Sequence, residues 1–160
     1  MKKLMLLCAL FFAFIASATP AVAAPPSEDV LVDVTFKPNQ LCSYSVQLVV
    51  TGKSKLVELP GDRVFIASPG QEVTITNLKT LEEETFLITG STHAELQADG
   101  TTEVTVTGLN IVLNAREAKS EEPGIFLLEG NFTFALKADG TEERVFSGTG
   151  EVTDICTLLA

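Results

Sequence analysis

The chain has no tryptophan and a single tyrosine, Tyr44. Many carbohydrate-binding β-domains stack sugars on exposed Trp and Tyr rings, which combine an apolar face with a polar edge. That class of binding therefore has little to work with here. Histidine is as scarce: His93 stands alone, and the G-x-S-x-G, H-E-x-x-H and C-x-x-C motifs are all absent. A catalytic histidine needs a nucleophile or carboxylate beside it. One imidazole and two thiolates make an incomplete zinc site, and no D-x-D-x-D-G loop is present for calcium. No catalytic residue, metal ligand or cofactor is assigned. Basic residues are few too, with eleven Lys and Arg against twenty-one Asp and Glu. Nucleic acids and anionic lipid surfaces both demand clustered cations, so neither is a partner; the acidity serves solubility.

Long apolar runs are confined to the start. Lys2 and Lys3 precede an apolar stretch over 4–18, and Ala21-Val22-Ala23 presents small residues where a signal peptidase reads them. About fifteen apolar residues fall short of the ~20 that span a bilayer. This predicts a signal peptide over 1–23, a short polar leader over 24–29 and a single domain over 30–160. The protein is expected to be secreted, or periplasmic if its source has an outer membrane, with no integral membrane segment after cleavage. Cleavage leaves 137 of 160 residues, a comfortable size for one core. Nine basic residues then face twenty-one acidic ones, a net charge of −12.

Cleavage also removes Cys8 and leaves Cys42 and Cys156. An even pair in an oxidising compartment predicts a disulfide. It would close a span of 114 positions, for which loop-closure entropy alone gives about 4–5 kcal/mol.

From residue 30 the pattern is one of strands. Runs over 30–36, 42–51, 55–59, 63–67 and 72–77 are separated by Pro, Gly, Asn and Ser. Tyr44, Val46, Leu48 and Val50 recur at period two, the mark of a half-buried strand. Farther on, ten of the twenty-three residues over 86–108 recur without gaps over 126–148. This predicts one hairpin unit used twice. Asp99-Gly100 and Asp139-Gly140 are read as its turns, since Asp and Gly tolerate the positive φ of tight β-turns. Phe132, Phe134 and Leu136 share one face of the second copy, and Val104 and Val106 alternate with Thr105 and Thr107 in the first. The charged loop over 115–122 is the best helical candidate, for one turn at most.

Gly90 and Gly108 flank the first turn, and Gly130 and Gly148 repeat that placement. Each pair is expected to face across its hairpin and let long arms fold over, because glycine in a strand marks a bulge or sharp bend. A Cys42–Cys156 bridge brings the first and last main strands close. Together these predict an all-β fold: a small antiparallel barrel or barrel-like sandwich of about eight or nine strands containing a duplicated hairpin. The segments Cys42-Ser43-Tyr44-Ser45-Val46, Val73-Thr74-Ile75-Thr76-Asn77 and Asp154-Ile155-Cys156 resemble those of small secreted two-cysteine bacterial proteins, many from actinobacteria. The resemblance implies a two-cysteine all-β domain. That group has no assigned activity, so it contributes no site residue.

Residues with chemistry are few. His93 aligns with Thr133, on the face opposite Phe132 and Phe134, which predicts a solvent-facing ring. Glu82-Glu83-Glu84, Glu121-Glu122 and Glu142-Glu143 read as solvated charges. Arg144 replaces Val104 of the first copy and interrupts an apolar face, while Arg116 lies in the loop joining the copies. These two are the candidate binding residues, because loops carry binding while strands supply scaffold. The seven phenylalanines beyond the signal fit a core. The leading functional expectation is a non-enzymatic binding module for a small apolar ligand or a protein partner. The alternatives are a hydrolase or isomerase using scattered carboxylates, and a purely structural envelope protein.

Overall fold

The computed structural model describes residues 32–114 and 123–160, with the backbone alone for 142–146. The expected signal and leader, Arg116 and the rest of the 115–122 segment lie outside the described residues.

Alternation assigns each strand its inner face. In β2 (Val46–Thr51), Val46 and Leu48 are buried. In β5 (Gln71–Asn77), Val73, Ile75 and Asn77 are buried while Glu72 is exposed. Pairing is antiparallel throughout, with Leu48 opposite Ile75 and Val50 opposite Val73. With β1 (Val32–Phe36) and β6 (Glu83–Ile88) they form a four-stranded sheet in the order β1-β2-β5-β6. Each fully buried aliphatic side chain contributes about 1.5–3 kcal/mol.

The second sheet has six strands, in the order β10-β9-β8-β7-β4-β3. Short β3 (Lys55–Leu59), β4 (Arg63–Ala67) and β7 (Ser91–Leu96) precede three strands of thirteen residues each. These are β8 (Thr102–Asn114), β9 (Gly124–Leu136) and β10 (Glu142–Asp154). The chain changes sheet at 52–54, 68–70 and 89–90. Among the described residues the two sheets do not join edge to edge, so the fold is the sandwich of the two expected alternatives and not the barrel. The described residues form ten strands, against the eight or nine expected.

Thirteen residues at ~3.3 Å each would stretch roughly 43 Å, too long for a straight strand in a small domain. A line of glycines resolves this: Gly108 stands opposite Gly130, and Gly130 opposite Gly150. Gly130 and Gly150 take φ of 146° and 144°, a region closed to other residues. A Cβ on Gly130 would run into the Thr149 carbonyl. Beyond this line the long strands lie over the four-stranded sheet. There Ile111, Ile125 and Leu127 pack against Val46, Leu48, Val73 and Ile75. Their alternate neighbours Phe126 and Leu128 join Val104, Val106 and Phe132 in a second cluster. The run Ile125-Phe126-Leu127-Leu128 thus serves two cores at once.

Both Asp-Gly turns form as expected, with a different division of labour. Only the glycines are left-handed, at 86° for Gly100 and 79° for Gly140. Asp99 works through its side chain, which accepts from the Thr101 amide and hydroxyl. These bonds hold its carboxyl below the usual carboxylate range, the hydroxyl contributing most and the amide next. Asp139 accepts from Thr141 in the same way. The facing-glycine expectation holds for the first copy, where the Gly90 amide donates to Leu109 O at 2.9 Å and a Cβ on Gly108 would lie 3.2 Å from Gly90 Cα. It fails for the second. Irregularities between Glu142 and Arg144 and between Arg144 and Ser147 shift the register, so that Gly148 meets Phe132 and Gly150 meets Gly130.

The helical turn considered for 115–122 lies outside the described residues, and a short helix closes the chain. Four residues after β10 form α1 (Ile155–Leu158), with Asp154 as N-cap accepting from the Thr157 amide. Asp154 also accepts from the Thr157 hydroxyl at 2.6 Å. Asp and Thr at this spacing satisfy an otherwise orphaned helix-end donor.

Candidate functional site

One end of the sandwich is bolted together. Cys42 and Cys156 form the expected disulfide, with Cα atoms 5.3 Å apart. Beside it the Tyr44 hydroxyl donates to the Cys156 carbonyl at 2.7 Å. Burial raises the pKa of this phenol, and the nearby carboxylates of Asp154 and Glu82 raise it further. Asn77 is 1% exposed and uses both ends of its amide. Its Nδ2 donates to Leu159 O at 2.7 Å, and its Oδ1 accepts from the amides of Lys79 and Thr80. A buried amide bonded at both its nitrogen and its oxygen fixes geometry and offsets much of its desolvation cost. Ile155 and Leu159 are thereby seated in the first core. An open groove of about 390 Å³ runs along this end, lined by Pro38, Ser43, Tyr44, Ser45, Leu78 and Lys79.

A second hollow, of about 140 Å³, lies on the six-stranded sheet. Its charged residues follow from strand register. Arg63 stands opposite Glu95, and Glu95 opposite Glu103. The row continues through Ala135 to the backbone of Arg144. Directly opposed like charges such as Glu95 and Glu103 oppose sheet formation, and Arg63 on the neighbouring strand offsets this. The Arg63 Nε donates to Pro60 O at 3.0 Å, which anchors the stem of that guanidinium. One step along the strands, Phe65 stands opposite His93. Their rings lie 4.6 Å apart at 44°, within the range of favourable aromatic contact. Phe65 is half-buried, and His93 is exposed as the sequence implied.

Glu95 and Glu103 are both exposed. A general acid in a glycosidase needs a carboxyl held in an apolar pocket, and water around these two removes that means of tuning. Among the described residues, no three of His, Cys, Asp and Glu gather to hold a metal.

Of the residues singled out from sequence, Cys42 and Cys156 are brought together, and Arg116 lies outside the described residues. Arg144 stands opposite Ala135, not opposite Phe134, where the unshifted alignment with Val104 would put it. It has moved one place in register into the row that contains Glu103. Sequence reading passed over Arg63, Glu95 and Glu103, since no motif joins positions 63, 95 and 103; only strand pairing does. Asn77 follows Val73 and Ile75 on one face of its strand by period two, but its bonding across to Leu159 is visible only in the fold.

Comparison of the chain with family models, curated proteins and solved structures gives no match. The functional reading therefore rests on the site alone, because a sandwich fold is shared by many unrelated activities.

Proposed function

We propose that the protein is an exported, non-enzymatic binding module that engages a protein partner through the outer face of β4, β7 and β8. The observation that carries this reading is the arrangement on that face: the half-buried Phe65 ring against His93, flanked by the Arg63–Glu95–Glu103 row. Aromatic rings framed by arginine and carboxylates on a rigid sheet are the components of an interface hot spot with a polar rim. Of the two ligand classes expected, a protein surface fits better than a small apolar molecule. Both hollows are open, and the one on this face is lined largely by charged or polar side chains. The exposed carboxylates weigh against hydrolase or isomerase chemistry. Export rests on the N-terminal pattern and agrees with the disulfide and with the resemblance to secreted two-cysteine proteins.

The test is in situ cross-linking in the producing organism, comparing wild type, Arg63→Glu and a control charge change, Glu72→Lys, on the other sheet. A partner retained by wild type and the control but lost from Arg63→Glu is the expected result. Equal retention by all three, or no partner for any, removes this face from consideration.

A further inference from the structure

Left-handed backbone among the described non-glycine residues occurs at Asn39, Asp62 and Leu81. Asn and Asp tolerate that conformation; leucine does not, because its Cβ crowds the following carbonyl. Yet Leu81 is held there, with φ of 64°, by a turn with few degrees of freedom. Its amide donates to Asn77 O at 2.8 Å, and the Asn77 amide donates to Glu82 O at 2.9 Å. Asn77 Oδ1 binds the amides between them, and Asn77 Nδ2 ties the turn to the C-terminal segment. The side chain so positioned is 74% exposed. In the isolated molecule Leu81 therefore incurs backbone strain and buries almost nothing in return. Glycine or asparagine would suit the turn better.

The surroundings supply what the isolated molecule lacks. Leu78 and Leu158 are also large, apolar and exposed, at 38% and 52%. Leu78 is tied to the 43–45 segment through its amide, which donates to Ser45 O, and Leu158 adjoins the residue that Asn77 grips. The groove that Leu78 and Lys79 of this turn help to line is completed by Pro38, Tyr44, Ser43 and Ser45. Glu82 follows Leu81 directly. A protruding leucine, a groove with apolar walls at Pro38, Tyr44 and Leu78, a lysine and a glutamate thus belong to one end of the molecule.

We propose that this end of the sandwich is an isologous docking surface for a second copy of the chain. Leu81 of each copy enters the Tyr44–Leu78 groove of the other, and Lys79 of each meets Glu82 of the other. Two-fold symmetry requires that one patch carry both halves of every contact, and this patch carries knob and groove, cation and anion. The local charge pairing works against the repulsion of two acidic molecules. This surface is separate from the sheet face assigned above to a partner, so either assignment can fail alone.

The test is sedimentation velocity of the disulfide-intact mature protein over a concentration series, together with thermal melting at a concentration where it is monomeric. Wild type dimerises reversibly. Leu81→Gly weakens the dimer at least tenfold while raising the monomer midpoint by roughly 3–5 °C, through relief of strain. Leu81→Asn behaves in the same sense. Lys79→Glu weakens the dimer, and Lys79→Glu with Glu82→Lys restores it. A wild type that stays monomeric up to several hundred micromolar overturns the proposal. So does a Leu81→Gly protein that dimerises as wild type does, or a double charge exchange that fails to recover association.

Discussion

The β7–β8 and β9–β10 hairpins turn in the same way and then diverge. At the turns, the corresponding hydrogen bonds of Gln97, Asp99, Gly100 and Thr101 and of Lys137, Asp139, Gly140 and Thr141 agree within 0.1 Å. At the far ends the equivalent glycines solve different problems. At Gly90 the chain passes from the four-stranded sheet into the six-stranded one, whereas at Gly130 a single strand bends and continues. Gly108 keeps its expected neighbour, while Gly148 gives up its place to Gly150. Short-range chemistry reproduces itself wherever the same Ala-Asp-Gly-Thr run recurs. Register does not, because each arm must also match the strand and core that lie against it.

The contrast is sharpest in the core. Phe132 is 4% exposed in the second cluster, whereas its counterpart Thr92 is half-buried on a short strand. Phe132→Ala is expected to lose about 3–5 kcal/mol and Thr92→Ala less than about 1 kcal/mol, both read by urea denaturation. Similar losses would mean that the two hairpins share one environment. Next come the glycines. Gly130→Ala places a methyl group against backbone at a φ open to glycine alone, for a loss of roughly 3 kcal/mol or more. Gly108→Ala, at φ 78° and with more room, is expected to lose about 1–2 kcal/mol. A reversed order would locate the bend at Gly108 instead.

At the turns the expected difference is nil. Asp99→Ala and Asp139→Ala should each lower the urea midpoint slightly and should agree with one another within error. A clear inequality would show that the turns are coupled to the arms. Smallest is the pH effect. The folded pKa of Asp99 is lowered, so its contribution is present above the unfolded carboxylate value and disappears as pH falls through the folded one. Stability should decline slightly more steeply in acid for wild type than for Asp99→Asn. At the alkaline end the sign is opposite. The folded pKa of Tyr44 is raised, so stability is full below the free phenol value of 10.0 and falls as pH rises towards the folded one. Tyr44→Phe should flatten that limb of the profile.

Much of the scaffold was legible from particular residues. Val46 and Leu48 alternate with Gln47 and Val49, Asp-Gly marks both turns, and Cys42 and Cys156 are the two cysteines beyond Cys8. The Arg63–Glu95–Glu103 row was not legible, because its members lie on three strands whose register is set by pairing. Ile125-Phe126-Leu127-Leu128 hid a strand buried on both faces, since a short continuous apolar run does not disclose its layers. Arg144 was placed by aligning the copies, and the β10 irregularities moved its pairing by one residue.

Sequence alone determined what is local or combinatorially forced: strand identity from period two, the Asp-Gly-Thr turns from side chains that satisfy their own backbone, and the Cys42–Cys156 pairing from the absence of any other cysteine beyond Cys8. Tertiary structure decided what depends on two segments meeting. That includes the sheet each strand joins, the line through Gly108, Gly130 and Gly150, the two-residue shift in β10, and the face on which Arg63, Glu95 and His93 gather. The physical reason is that a turn closes its hydrogen bonds within five residues, whereas register and layer are chosen by burying side chains contributed by distant strands.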